Sequence, residues 1–101
     1  CTACEVQREL GAVNATGFDL SAACSGFVFA YNTAQAFVEA GMYKTILVIG
    51  SESLSNIVNW QDRGSCILFG DGAGAAVVRA EAGEGVLCDT FRWNDGRSPC
   101  L

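Results

Sequence analysis

The chain has 101 residues, half of them apolar and 17% charged, a balance too hydrophobic for a disordered segment. Six basic against eleven acidic side chains give a net charge of −5, with no basic stripe to neutralise phosphates, so nucleic-acid binding is not expected. Histidine is absent, so no Ser-His-Asp or Cys-His pair can be completed from within the chain, and no apolar run reaches the ~20 residues of a membrane span.

The sequence starts at Cys1 without a charged-then-apolar leader, and reads as an interior piece of a longer protein or a processed product. Cys4–Leu10 is predicted as a helix with Val6 and Leu10 on one face and Gly11 closing it. Thr16–Ser21 reads as a short strand. Ser25–Ala40 follows as a long helix ending at Gly41, where a positive φ is needed. Its apolar positions run nearly all the way round, which predicts a buried helix. Lys44–Gly50 is a continuous β-branched run, expected to be a strand covered on both faces. Strand, helix and strand then form a βαβ unit with a parallel pair.

Ser51–Arg63 reads as an irregular polar stretch containing Trp60. Ser65–Phe69 and Ala75–Arg79 are predicted strands joined by a tight connection through Gly70-Asp71-Gly72-Ala73-Gly74. Gly85–Phe91 is a predicted last strand, and Asp95-Gly96 a turn. The class is α/β, with three layers implied by a helix buried on both sides.

Chemistry concentrates at Ala22-Ala23-Cys24-Ser25-Gly26-Phe27. A thiol between a strand and the first turn of a buried helix meets unpaired N–H groups and a helix dipole that favour an anion, and thiolate is the nucleophilic form of cysteine. The geometry is that of a nucleophile elbow. A packed cysteine acting as a small hydrophobe is the alternative. The six cysteines, at 1, 4, 24, 66, 88 and 100, read as free thiols rather than a disulfide framework, because Cys24 and Cys66 sit in apolar runs. Cys1-x-x-Cys4 is one ligand pair at metal spacing without a second, and reads as packing. The glycine cluster lacks the spacing of a dinucleotide or phosphate loop. Asp62-Arg63 is either a surface ion pair or, with Trp60, a planar platform for a nucleotide. Glu52 follows the end of a strand, where parallel sheets form ligand crevices, though a structural hydrogen-bonding role suits it as well.

Three segments together carry a resemblance. Ala22 to Phe27, Ile49-Gly50-Ser51-Glu52, and Asp62-Arg63-Gly64-Ser65-Cys66-Ile67-Leu68-Phe69-Gly70-Asp71-Gly72-Ala73-Gly74-Ala75 resemble β-ketoacyl-acyl-carrier-protein synthase III, the initiating condensing enzyme of bacterial fatty acid synthesis. The resemblance implies a partial thiolase-like fold, with residues 1–101 belonging to the N-terminal half and the start of that half and the whole C-terminal half absent. It implies that acyl-CoA acylates Cys24, whose own N–H contributes to an oxyanion hole. Malonyl-acyl-carrier protein then decarboxylates and its carbanion attacks the thioester. Leu54, Phe69 and Leu101 would line the acyl pocket, and Arg63, with Gly64 beside it, would meet the CoA adenine at the mouth. Gly17–Ser21 would pair across the axis of a cytoplasmic homodimer. No cofactor is implied, since CoA enters as substrate.

In the family a histidine and an asparagine from the C-terminal half drive decarboxylation, and this chain offers no histidine. Condensation by this polypeptide alone is therefore not expected. A related condensing enzyme of secondary metabolism fits the same residues. A cysteine hydrolase and a non-catalytic binding module are the alternatives from other classes.

Overall fold

In the computed structural model, described over residues 1–82, the chain opens on helix α1 (Thr2–Glu9). The helix begins before the expected Cys4 because Asp19 reaches back to it. The two carboxylate oxygens of Asp19 accept hydrogen bonds from the Thr2 and Ala3 N–H groups, both at 2.8 Å. They satisfy two of the donors that a helix start leaves unpaired, and put negative charge where the helix dipole favours it. The Ala3 and Thr2 donors in turn hold the Asp19 carboxyl below its ordinary value.

Helix α2 (Gly26–Glu39) agrees with the expected span to within a residue at each end. Both helices stop in the same way. Gly11 donates to the Arg8 carbonyl at 3.0 Å and Ala12 to Gln7 at 3.0 Å. Gly41 donates to Val38 at 3.0 Å and Met42 to Phe37 at 2.9 Å. Each pair is a Schellman motif, and each needs the left-handed conformation that Gly11 (φ 65°) and Gly41 (φ 75°) adopt.

Strands β1 (Thr45–Ser53) and β2 (Asp71–Arg79) form an antiparallel pair in register from Thr45 opposite Arg79 to Ser53 opposite Asp71. Helix α2 lies across one face of the pair. Ala34 of the helix and Val48 of β1 are its buried centre, at 3% and 4% exposure. Phe37 extends that contact as an edge-on partner of Phe18 (6.4 Å between centroids) and Tyr43 (5.8 Å).

Several sequence expectations are corrected. Thr16–Ser21 carries no strand pairing among the described residues, so the sheet that is described pairs β1 with β2 rather than across α2 in parallel. Ser65–Phe69 is not a strand. Its first residues end a short helix, α3 (Arg63–Cys66), because Asp62 and Ser65 close a helical turn on each other. Gly70–Gly74 is not a tight connection, for β2 begins at Asp71 and its small residues lie opposite Gly50–Ser53. Only one face of β1 is covered among the described residues, because α2 packs on the Ile46, Val48 and Gly50 side while Leu47 and Ile49 stay open. Helix α2 likewise leaves Phe27 and Phe29 exposed instead of being buried all round. The predicted strand Gly85–Phe91 and the turn at Asp95-Gly96 lie outside the described residues.

Candidate active site

Cys24 sits in the middle of a single 3₁₀ turn (Ala23–Ser25) that feeds directly into α2. The turn is closed by the Ser25 N–H on the Ala22 carbonyl at 3.1 Å. Ala23 has φ 47°, the one described non-glycine residue in the left-handed region. That conformation costs an L-residue roughly 1–2 kcal/mol, and it turns the chain sharply one position before the thiol. The side chain of Cys24 is exposed. Ser25, the cap residue of α2, makes no side-chain cap bond, so the first amides of the helix have no side chain competing for them. Three residues on, the Phe27 ring lies over Gly50 of β1, where an added Cβ would come within 3.1 Å of Phe27 Cδ2. This contact seats the head of α2 on the sheet.

A second feature is built between the strands. After β1 the chain makes a 3₁₀ turn (Leu54–Asn56), in which Leu54 accepts from the Ile57 and Val58 amides at 3.0 Å. It then runs to α3, which Asp62 caps. Asp62 Oδ1 accepts from the Gly64 N–H at 3.0 Å and Oδ2 from the Ser65 hydroxyl at 2.6 Å. Ser65 is the larger cause, and Gly64 the next, holding the Asp62 carboxyl below its ordinary value. Asp71, the first residue of β2, accepts from both the backbone N–H (2.8 Å) and the hydroxyl of Ser55. The outcome is an open groove of about 250 Å³ lined by Leu54, Ile57, Val58, Asn59, Ser65 and Phe69. Its walls are mainly apolar, so it suits a flexible hydrocarbon better than a charged group.

The sequence model for 3-oxoacyl-[acyl-carrier-protein (ACP)] synthase III matches residues 18–96. The chain belongs to this family. The beta-ketoacyl-[acyl-carrier-protein] synthase III of Caldanaerobacter subterraneus subsp. tengcongensis is 62% identical over 87 residues, which are 85% of this chain and 26% of that protein. The Clostridioides difficile synthase III is 54% identical over 101 residues, 99% of this chain and 30% of that protein. Among solved structures, the Aquifex aeolicus synthase III superposes with a TM-score of 0.79 at 52% identity, over 81% of this chain and 27% of that one. The Pseudomonas aeruginosa synthase III gives 0.76 at 42% identity, over 80% and 25%. The fold is therefore the thiolase-like α/β fold of the synthase III enzymes. The chain spans about a quarter of the length of most of the relatives it matches.

Against the synthase III expectations, Leu54 and Phe69 come together in the groove, and Ser65 joins them from the residue after Gly64. Arg63 and Gly64 open α3, exposed beside that groove's Ser65 wall. Cys24 is not among the groove's lining residues, and Leu101 lies outside the described residues. Asp62 is a helix cap rather than one half of an ion pair with Arg63. Glu52, expected just past the end of a strand, instead lies within β1 and is exposed. Sequence reasoning missed Ile57, Val58, Asn59 and Ser65 as lining residues. It also missed the clasp of Asp71 on Ser55, for which only the polar spacing of Asp71 from the Ser51–Asn56 stretch offered a signal.

Proposed function

We propose that this chain supplies the acyl-accepting part of a 3-oxoacyl-acyl-carrier-protein synthase III, an acyltransferase of fatty acid synthesis. Cys24 is the nucleophile. Its thiolate attacks the thioester carbonyl of an acyl-CoA, the Cys24 N–H donates to the developing oxyanion, and CoA leaves as its thiolate with the acyl group on sulfur. Leu54 and Phe69 serve the acyl chain, and the synthase III resemblance adds Leu101 to the same role. Arg63 meets the CoA adenine at the mouth through the flat face of its guanidinium, with Gly64 keeping the approach open. Malonyl-acyl-carrier protein then loses CO₂, and the enolate so formed attacks the acyl-Cys24 carbonyl and returns the thiolate. The histidine and asparagine that drive this second half come from outside the chain, which has no histidine. CoA is substrate throughout, and no cofactor takes part. In the same reading the protein is a cytoplasmic homodimer that joins along Gly17–Ser21, where Phe18 is 56% exposed.

The observation that carries the proposal is the exposed thiol of Cys24 on a strained turn at the head of α2, within a chain matched by the synthase III family over residues 18–96. The test is intact mass after incubation with acetyl-CoA and longer acyl-CoAs, alongside Cys24→Ala. A single acyl adduct that maps to Cys24 and disappears in the variant is expected. Acyl groups spread over several cysteines, or an adduct that survives in Cys24→Ala, would overturn the assignment.

A further inference from the structure

Cys1 and Cys4 have no place in the acyl-transfer reading, and the structure does not pack them away either. Both side chains are exposed, which corrects their expected role as packing cysteines. Cys1 is the cap residue of α1 and Cys4 lies in its first turn. The Cys4 thiol donates to Cys1 Sγ at 3.2 Å. Residues three apart on a regular helix hold their Cβ atoms about 5–6 Å apart, whereas a disulfide needs about 3.5–4.5 Å. The two side chains nevertheless lean toward each other far enough to bring their sulfurs to 3.2 Å.

The stretch between the two sulfurs is already immobilised. Thr2 and Ala3, the two intervening residues, both donate their backbone N–H groups to Asp19 at 2.8 Å. Cys4 Sγ also faces the Gly17 carbonyl at 3.8 Å, on the same returning segment. Bridging the sulfurs therefore orders little chain that is not ordered before the bond forms.

We propose that Cys1 and Cys4 are a reversible redox site, a dithiol that a low-molecular-weight disulfide such as glutathione disulfide oxidises to an intramolecular disulfide. One cysteine thiolate attacks a sulfur of glutathione disulfide, whose S–S bond breaks, giving a mixed disulfide and one glutathione thiolate. The second cysteine thiolate attacks the protein sulfur of the mixed disulfide, forms the Cys1–Cys4 bond and expels the second glutathione. The two thiol protons end on the two glutathiones. The protein loses two electrons and glutathione disulfide gains them.

The test equilibrates the folded protein with reduced and oxidised glutathione in varying ratio, quenches with acid, alkylates the remaining thiols and digests with trypsin. The peptide ending at Arg8 holds both cysteines. As the oxidised share rises it is expected to lose both alkyl labels together and to become two hydrogens lighter, reversibly with dithiothreitol. The folded protein closes the bridge at a glutathione disulfide level about tenfold lower than the urea-unfolded chain does. Cys1→Ser leaves a persisting glutathione adduct on Cys4, and Cys4→Ser leaves one on Cys1. Labels retained across the series, a stable mixed disulfide in the unsubstituted protein, or equal midpoints for folded and unfolded chains would each overturn the proposal. None of these outcomes bears on acylation of Cys24.

Discussion

Ala23 holds a backbone angle that most side chains avoid, and it does so immediately before the residue proposed to take the acyl group. A methyl side chain tolerates φ 47° at modest cost, whereas a branched Cβ crowds the neighbouring carbonyl. Ala23→Val is therefore expected to lower stability by roughly 1–2 kcal/mol, read as a fall in the urea midpoint with an unchanged slope. An unshifted midpoint would show that the turn relaxes without the strain. Little of this was legible in the sequence. Small residues around Cys24 announced a tight turn, but nothing in Ala22-Ala23 distinguishes the alanine that bends backwards from the one that does not.

At the level of elements, the two helices could be read well because their signals are local. Apolar spacing marked α2, and Gly11 and Gly41 marked the ends where the Schellman bonds form. The segment between the strands was misread for the opposite reason. Cys66-Ile67-Leu68-Phe69 has the composition of a strand, yet the turn is decided by Asp62 and Ser65 before it, and Ile67 and Leu68 are 72% exposed. The clasp of Asp71 on Ser55 joins residues sixteen positions apart, which no local pattern reports. It makes a prediction about acid. The Ser55 hydroxyl first, and its N–H next, hold the Asp71 carboxyl below the ordinary 3.8. A carboxyl lowered on folding contributes its full stabilisation above the unfolded value and loses it as pH falls through the folded one. The hydrogen-exchange protection of the Ser55 amide should thus hold from neutral pH down to the ordinary aspartate range and fall away below it. Asp71→Asn should reduce that protection at neutral pH and flatten its acid dependence. Equal protection in both proteins at neutral pH would rule out the clasp.

Over the whole described molecule, one side of the sheet is covered and the other is open. Leu47, Ile49 and Val77 share the open side at 44%, 40% and 67% exposure. A contiguous apolar surface of this kind marks a contact, and the chain spans about a quarter of the length of most of its relatives. A dye such as 1-anilinonaphthalene-8-sulfonate should bind this chain and brighten. Replacing the three residues together by serine should remove most of that signal while the α2 side, centred on Ala34 and Val48, stays folded by far-ultraviolet dichroism. Undiminished fluorescence would place the dye elsewhere. The pairing of β1 with β2 has a separate consequence. Ser53 stands opposite Asp71, so residues 54–70, which carry every wall of the groove, leave and re-enter the sheet at one fixed gate. A closed excursion of this sort is a cassette. Its length can drift cheaply, since doubling a flexible loop adds only about 0.6 kcal/mol of closure entropy. Evolution can then retune what the groove accepts without disturbing the turn that presents Cys24, which belongs to a separate segment at the head of α2.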